Sequence, residues 1–442
     1  MATNTLGLAL ARRSLLRLGG AALALPMLPM LPRVSRAALS AGAGLGFLQT
    51  RMPFWGAAGT IGGGVTLTAA MTAETPFKSV QLFWTNFDTT PRVVSSAAAA
   101  PTAALGDATN PINPSGAQDA SLWRPVTFGG ARSATIPAAV QHNGFIPQND
   151  HVAGLLVSDV IPLASLPRTD GAFPLVLTRS FSAGPMSCAV DGDVLGLSPP
   201  GGGAFDAASN GRIVRAGTIS GDGATSPGLV AGSAGQFLAP TGVIFHTDVP
   251  GLSVMVGGDS LWQGFGTATA QDDPFHVAAC AISTPSLPVT VCKLAYQGMS
   301  SASFQANLQQ MIAAAPPNVA IIKGESPNDQ PHGTQAAYSS SLGGAIALGT
   351  WCANRGISPV VATAMPYGEN LSTDAARLQF NATIRGSGWD YVDFDAAVSA
   401  GGSPAVIRPA FSSSARAPHP NDAGDFAIAA SVETVLRRIL AR

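Results

Sequence analysis

Hydrophobic and polar positions follow two different rhythms along this chain. From about residue 48 to residue 240 they alternate in short runs: Gly64-Val65-Thr66-Leu67-Thr68-Ala69, Ser79-Val80-Gln81-Leu82-Phe83-Trp84, Val126-Thr127-Phe128, Ala134-Thr135-Ile136-Pro137-Ala138 and Pro174 to Phe181. A period of two, with Gly, Pro, Ser and Asn between the runs, predicts β-strands; none of the runs has the length or three-to-four spacing of a helix. Such strands form antiparallel sheets that must bury one face, so an all-β, sandwich-like accessory domain is predicted over 48–240. Two passages read as loops: 97–119, rich in Ala, Pro and Asn, and 199–233, rich in Gly.

From Gly251 the rhythm changes. Apolar runs at Ser253–Val256, Pro288–Ala295, Val319–Ile322, Ile357–Ala364 and Tyr391–Asp393 alternate with helical patterns. Phe304, Leu308, Met311 and Ile312 share one helical face, as do Ile428, Val432, Val435 and Leu436 in a closing helix over 423–440; two further helices are predicted over 334–354 and 373–385. This alternation predicts an α/β domain with a parallel sheet over 245–442. Right-handed crossovers leave the loops that follow the strands on one rim, where ligands bind. Ser260, Gly298, Asn328 and His419 each fall in such a loop.

Composition narrows the picture. The chain has 442 residues, more than one core usually supports, which agrees with two domains. Only 11% of residues are charged, and 50 glycines with 34 prolines suit a turn-rich exported protein. With 24 basic and 25 acidic side chains there is no electrostatic case for nucleic acid or an anionic membrane surface as partner. Cys188, Cys280, Cys292 and Cys352 form no Cys-x-x-Cys pair and no histidine stands at metal-ligand spacing, which argues against zinc. Cys280 and Cys292 either bridge or remain buried thiols.

Arg12-Arg13 precedes an apolar, proline-interrupted run from Leu18 to Leu31, with small residues at Ala37 and Ala38. Residues 1–38 resemble a twin-arginine signal peptide, and the run is too short and broken to span a bilayer. A periplasmic or extracellular, bacterial workplace is expected, with no stable membrane span after signal removal.

Ester hydrolysis by a serine needs a nucleophile, a base and donors aimed at the oxygen that becomes negative. Ser260, on the turn after an apolar strand in Val254-Met255-Val256-Gly257-Gly258-Asp259-Ser260-Leu261, supplies the first. His419, just before the closing helix, suits general base work. The backbone amides of Ser260 and Gly298 and the side-chain amide of Asn328 are the donor candidates for an oxyanion hole.

These positions resemble the four blocks of the SGNH, or GDSL, hydrolase superfamily: Gly258-Asp259-Ser260-Leu261, a block at Gly298, Gly324-Glu325-Ser326-Pro327-Asn328-Asp329, and His419-Pro420-Asn421. The resemblance runs from Val254 to the end. It implies a flavodoxin-like three-layer fold, carboxylic ester hydrolysis, and no metal or organic cofactor. Two departures stand out. Asn328 lies two residues further from Gly324 than the family pattern places it. Arg416 occupies the position of the orienting acid, so a backbone carbonyl orients His419 or an acid arrives from Asp422, Asp395 or Asp393.

Other residues have blander readings. Asp259 bonds within its own turn; Asp272, Asp273 and His276 form a polar junction; His332, His142 and His151 are loop histidines. Trp262 lines the pocket or packs in the core. Trp84, Trp123 and Phe181 are the candidates for stacking on a sugar, with core burial the commoner fate of strand aromatics. The expected function is that of an exported serine esterase on acyl esters, with O-acetyl groups on a glycan as the expected substrate. The alternatives are a carbohydrate- or surface-binding protein with a degenerate hydrolase fold, and a lipase or lysophospholipase.

Overall fold

The structure is a computed structural model and describes residues 48–51, 58–73, 75–102, 120–142, 144, 146, 147, 149–167, 174–190, 213–224, 237–267, 273–284, 286–367, 371–413 and 419–442. The expected signal peptide, Asp272 and Arg416 lie outside the described residues.

The carboxyl-terminal unit is built on a parallel sheet of β1 (Leu252–Gly258), β2 (Val289–Ala295), β3 (Val319–Lys323), β4 (Ser358–Ala362) and β5 (Asp390–Val392). Their order, β2-β1-β3-β4-β5, is the flavodoxin-like one. Between and after them run α1 (Ser260–Gln263), α2 (Pro274–Ile282), α3 (Ser301–Ala314), α4 (Gln335–Ala353), α5 (Leu371–Gly386), α6 (Phe394–Val398) and α7 (Asp422–Leu440). Alternation along β1 sorts the two faces of the sheet. Val254 and Val256 pack with Phe275 of α2 and Ile428, Val432 and Leu436 of α7. Met255 packs on the opposite side with Phe304 and Leu308 of α3 and Ala345 and Leu348 of α4. Helices on both faces explain why every residue of β1 and β3 is buried. The order reverses at β1, which opens a crevice at the carboxyl ends of β1 and β3.

The amino-terminal unit is all-β and antiparallel. One sheet pairs Gly242–His246 with Leu48–Arg51 and Ser79–Asn86, and Ser79–Asn86 with Gly154–Val157. A second pairs Val65–Thr72 with Ile213–Ser220 and Leu175–Ser182, and Leu175–Ser182 with Ser96–Thr102. The sheets share one core: Val80, Leu82, Trp84, Val243 and Phe245 from the first meet Leu67, Met71 and Val176 from the second. Gly242–His246 carries this unit past residue 240, and 247–251 leads into β1.

Two passages expected to be loops contain strands. Ser96–Thr102 is buried at every position and pairs in register with Leu175–Ser182. Alanine has a low intrinsic strand preference, but a site enclosed on both faces favours a side chain small enough for close approach. Ile213–Ser220, inside the glycine-rich passage, adds an edge to the same sheet. Val126–Phe128, expected as a strand, is not one: Phe128 bridges Ala131, and the Val126 N–H donates to the Ala97 carbonyl at 2.9 Å.

Two neighbouring strands of the first sheet, Ser79–Asn86 and Gly242–His246, bury residues on both faces. Val80, Leu82 and Trp84 point into the unit's own core, whereas Phe83 belongs to a cluster with Met255, Leu294, Met299 and Phe304. Val243 and Phe245 point inward, and Ile244 joins Phe83. The β unit is thereby packed onto the α3 side of the parallel sheet. Phe83, fully buried, is expected to cost about 3–5 kcal/mol when cut to alanine. Urea denaturation of Phe83→Ala, followed by tryptophan fluorescence and far-UV circular dichroism together, checks this; both signals are expected to shift as one transition.

Candidate active site

The nucleophile candidate stands where the strand-to-helix turn was expected. Asp259 caps the four-residue helix α1, its Oδ1 accepting from the Leu261 N–H at 3.1 Å, and Ser260 is the first helical residue. Ser260 Oγ lies 3.0 Å from His419 Nε2. His419 arrives from the segment before α7. Its carbonyl accepts from the Ser413 N–H at 2.8 Å, and Asn421 caps α7 through the Gly424 N–H at 3.1 Å. The imidazole sits edge-on between Phe265 and Tyr367, with centroids 4.9 and 5.5 Å away. Burial, and then the Asp259 charge, push the Tyr367 hydroxyl up to about 12, so this neighbour stays a neutral phenol at physiological pH.

Asp259 is the hub of a buried polar network. Its Oδ2 takes the Lys323 ammonium at 2.5 Å and the Ser326 hydroxyl at 2.5 Å. Ser326 Oγ in turn accepts from the Asn328 backbone N–H at 3.1 Å, and lies 2.9 Å from the Met299 carbonyl. Asn328 Nδ2 is 3.1 Å from the same carbonyl. Asp329 braces the loop from below, accepting from Ser301 N at 2.7 Å, Ser341 Oγ at 2.6 Å and Ser326 N at 3.1 Å. The loop after β3, longer than the family pattern, thus still brings Asn328 beside the residue that follows Gly298, and Ser326 bridges it to the turn that carries Ser260.

The backbone donors behave differently from their neighbours. Among the described residues, the N–H groups of Leu261, Trp262, Gln263, Gln297 and Met299 donate to protein acceptors, and those of Ser260 and Gly298 do not. Buried amides left without an acceptor are rare in folded proteins, and Ser260 and Gly298 are both buried residues. Gly298 adopts φ +82°, and a Cβ there would stand 2.9 Å from Ile146 Cβ, so only glycine fits.

Of the three substitute acids, two are committed elsewhere. Both oxygens of Asp393 bind Arg385, at 2.7 and 2.8 Å, and Asp395 is shared between Arg377 at 2.6 Å and Arg385 at 2.9 Å. Asp393 and Asp395 therefore hold α5 to the end of β5. Asp422 is half-buried in the first turn of α7, three residues beyond the histidine.

Several residues read as bland or ligand-facing take other roles. Trp262 is wholly buried between Phe275 and Phe394, 4.8 and 5.3 Å away, and is core. Trp84 is likewise buried, its indole N–H on Ser180 Oγ at 3.0 Å, and Trp123 lies under the Arg179 guanidinium at 4.3 Å. Asp273 is no surface junction: it caps α2 and binds His276 Nδ1 at 2.5 Å and Lys293 Nζ at 2.8 Å out of solvent. His142 and His151 sit at the joint with α3 rather than in solvent. His332 is half-buried beside the loop after β3, and burial lowers its pKa. No disulfide joins Cys280 to Cys292, and burial pushes the Cys352 thiol up to about 12. Lys323 and Ser326 were not singled out in the sequence; a lysine closing the otherwise apolar run Val319 to Ile322 was the available signal.

No protein-family model matches the sequence, and no curated protein matches it either. The structure is similar to that of the psychrotrophic esterase EstA from a Pseudoalteromonas species, at 13% identity and TM-score 0.34, over 43% of this chain and 99% of that one. It is also similar to a family 3 carbohydrate esterase from Clostridium thermocellum (14%, TM-score 0.31, 43% and 98%). A family two carbohydrate esterase from Cellvibrio japonicus is similar over 90% of this chain and 97% of its own, at 12% identity and TM-score 0.33.

Two measurements test the site's supports. Asp259→Asn is expected to cost about 3–5 kcal/mol, because it leaves the Lys323 ammonium buried without its counter-charge, and Asp259→Asn with Lys323→Met is expected to cost less than the single change. Urea denaturation of the three proteins decides it. For Asp393, burial raises the pKa but Arg385 outweighs it, so the carboxyl titrates below its ordinary range. A depressed folded-state pKa stabilises fully above the ordinary value and is lost as pH falls through the lowered one. The stability gap between the parent and Arg385→Gln should therefore be present at neutral pH and close below about pH 4, as followed by denaturation across a pH series.

Proposed function

We propose that this chain is a serine esterase that hydrolyses carboxylic acyl esters. The observation that carries the reading is the 3.0 Å contact between Ser260 Oγ and His419 Nε2, which joins a hydroxyl and an imidazole 159 residues apart at the rim of the parallel sheet. With the imidazole proton on Nδ1, Nε2 accepts the Ser260 proton as Oγ attacks the ester carbonyl carbon. The carbonyl oxygen gains the negative charge and is met by the N–H groups of Ser260 and Gly298, with the Asn328 amide alongside. Collapse of the tetrahedral species expels the alcohol, which takes its proton from Nε2. Water, deprotonated by the same nitrogen, then releases the acid from Ser260.

Orientation of His419 is assigned to its packing between Phe265 and Tyr367 and to the Ser413 tether, with Asp422 the remaining candidate acid. The substrate proposed is a short acyl ester, O-acetyl on carbohydrate above others, encountered outside the cytoplasm. The support for export is the Arg12-Arg13 signal pattern and the low charge content; a carbohydrate alcohol is the expectation that an exported workplace favours. No helix among the described residues is long and apolar enough to cross a membrane.

Ser260→Ala is expected to lower turnover of p-nitrophenyl acetate on the order of 10⁶-fold, with the thermal midpoint little changed. A series from acetate to palmitate esters separates the acetylesterase from a lipase. Hydrolysis that survives Ser260→Ala unchanged would refute the assignment.

A further inference from the structure

Gly298 and the start of α3 are covered by the β unit. Ile146 Cβ and Asn149 Cβ stand 2.9 and 3.1 Å from the point where a side-chain carbon on Gly298 would begin. Two residues past Gly298, the Ser300 N–H and the Ser300 hydroxyl both donate to Asp150, each at 2.8 Å. The Asp150 side chain is wholly buried, and its turn is closed by Asn149 and Asp150 N–H groups donating to the Ile146 carbonyl. One turn along α3, Ser303 Oγ lies 3.1 Å from His142 Nδ1. One turn further, Asn307 holds the Ala153 N–H at 2.9 Å and the His151 carbonyl at 3.0 Å. Residues 142 to 153 of one unit thus grip the first two turns of the helix that follows the oxyanion glycine of the other.

We propose that the β unit is a working part of the active site: Asp150, by holding Ser300, and Ile146, by packing on Gly298, set where the Gly298 N–H points. The inference rests on the esterase reading and deepens it. A donor serves an oxyanion only within a narrow distance window of about 2.7–3.1 Å. Gly298 has no side chain to fix its peptide plane and adopts a left-handed φ that glycine alone reaches without strain. Its orientation therefore has to be imposed from outside, by what packs on its Cα and by what anchors the residues after it. Gln263 and Ser326 hold the neighbours Gln297 and Met299 from the carboxyl-terminal unit, and the restraints on the glycine's own Cα and on Ser300 come from Ile146 and Asp150. Asp150 is a positioning residue, since it acts through Ser300.

The test uses the full chain and p-nitrophenyl acetate, with kcat, KM and the thermal midpoint measured for each variant. Asp150→Leu is expected to lower kcat by roughly 10–100-fold, with KM within about twofold, because a displaced donor weakens the transition state and not ground-state binding. Asp150→Asn, which keeps an oxygen for Ser300, should retain most of kcat, and Ile146→Ala should lose several-fold. As control, Asp159→Ala loosens the 127–130 turn of the same unit, where Asp159 binds Thr127, Gly129 and Gly130; it should lower the thermal midpoint and leave kcat unchanged. A helix-capping role alone would move the midpoint for Asp150→Leu without moving kcat, and that result overturns the proposal. If Asp150→Leu does not fold, parental kcat in Ile146→Ala overturns it instead. Parental chain with no activity that Ser260→Ala abolishes would remove the esterase reading itself, a failure distinct from the first two.

Discussion

A carboxylate with no exposure to water holds this site together. Asp259 is buried completely, and an isolated charge there would be prohibitive. It is tolerated because three donors converge on it: the Lys323 ammonium from the end of β3, the Ser326 hydroxyl from the loop beyond, and the Leu261 N–H of its own turn. Each donor fixes a different piece. The Leu261 bond shapes the turn that lifts Ser260, Lys323 ties that turn to the neighbouring strand, and Ser326 extends the link to Asn328 and the Met299 carbonyl. The loops after β1, β2 and β3 are thereby locked in one register around a single charge. In a low-dielectric interior such a network is strong when every member is satisfied and costly when one is not.

Much of this was legible along the chain, and for a physical reason. Ser260, Gly298, Asn328 and His419 stand where strand ends meet turn residues, and turn chemistry is local. Four long helices of the carboxyl-terminal unit were legible because a 3.6-residue period is also local: Gln335–Ala353 and Asp422–Leu440 fall within a residue or so of their expected bounds, whereas Pro274–Ile282 and Phe394–Val398 were not predicted. What failed was whatever depends on the other side of a strand. Alternation in Ser79–Asn86 marks one buried face, but Phe83 is buried on the opposite one, and a period of two cannot say that both are covered. The alanine strand Ser96–Thr102 was invisible for the same cause, since its burial comes from neighbours distant in sequence. His142, His151 and Asp150 were missed because their partners, on α3, are some 150 residues away.

Two faces buried in one strand change what the amino-terminal unit is. A tethered binding module meets its neighbour through a modest, polar surface and moves against it. Here Phe83, Ile244 and Ala153 are packed among Met255, Leu294, Met299 and Phe304, which line the parallel sheet and α3. Of the aromatics that suggested a sugar-stacking face, Trp84 and Trp123 are enclosed, one in the core and one beneath Arg179, and Phe181 is half-buried. The unit is packed against the carboxyl-terminal fold through a shared apolar cluster.

That arrangement answers a difficulty built into any site that uses glycine as a donor. Catalytic dipoles help only if they are already oriented when charge develops, and loop backbones are the least rigid scaffold on which to hold them. The Asn328 side has its brace in Asp329, Ser341 and the Asp259 network, all within the carboxyl-terminal unit. The Gly298 side shares part of that brace, since Gln263 holds the Gln297 N–H and Ser326 and Asn328 meet the Met299 carbonyl, but the glycine itself offers no side chain to grip. Asp150 at Ser300 and Ile146 over the glycine add a second brace from the β unit. On the proposed esterase reading, one fold therefore carries the nucleophile and base, and two together hold the oxyanion donors.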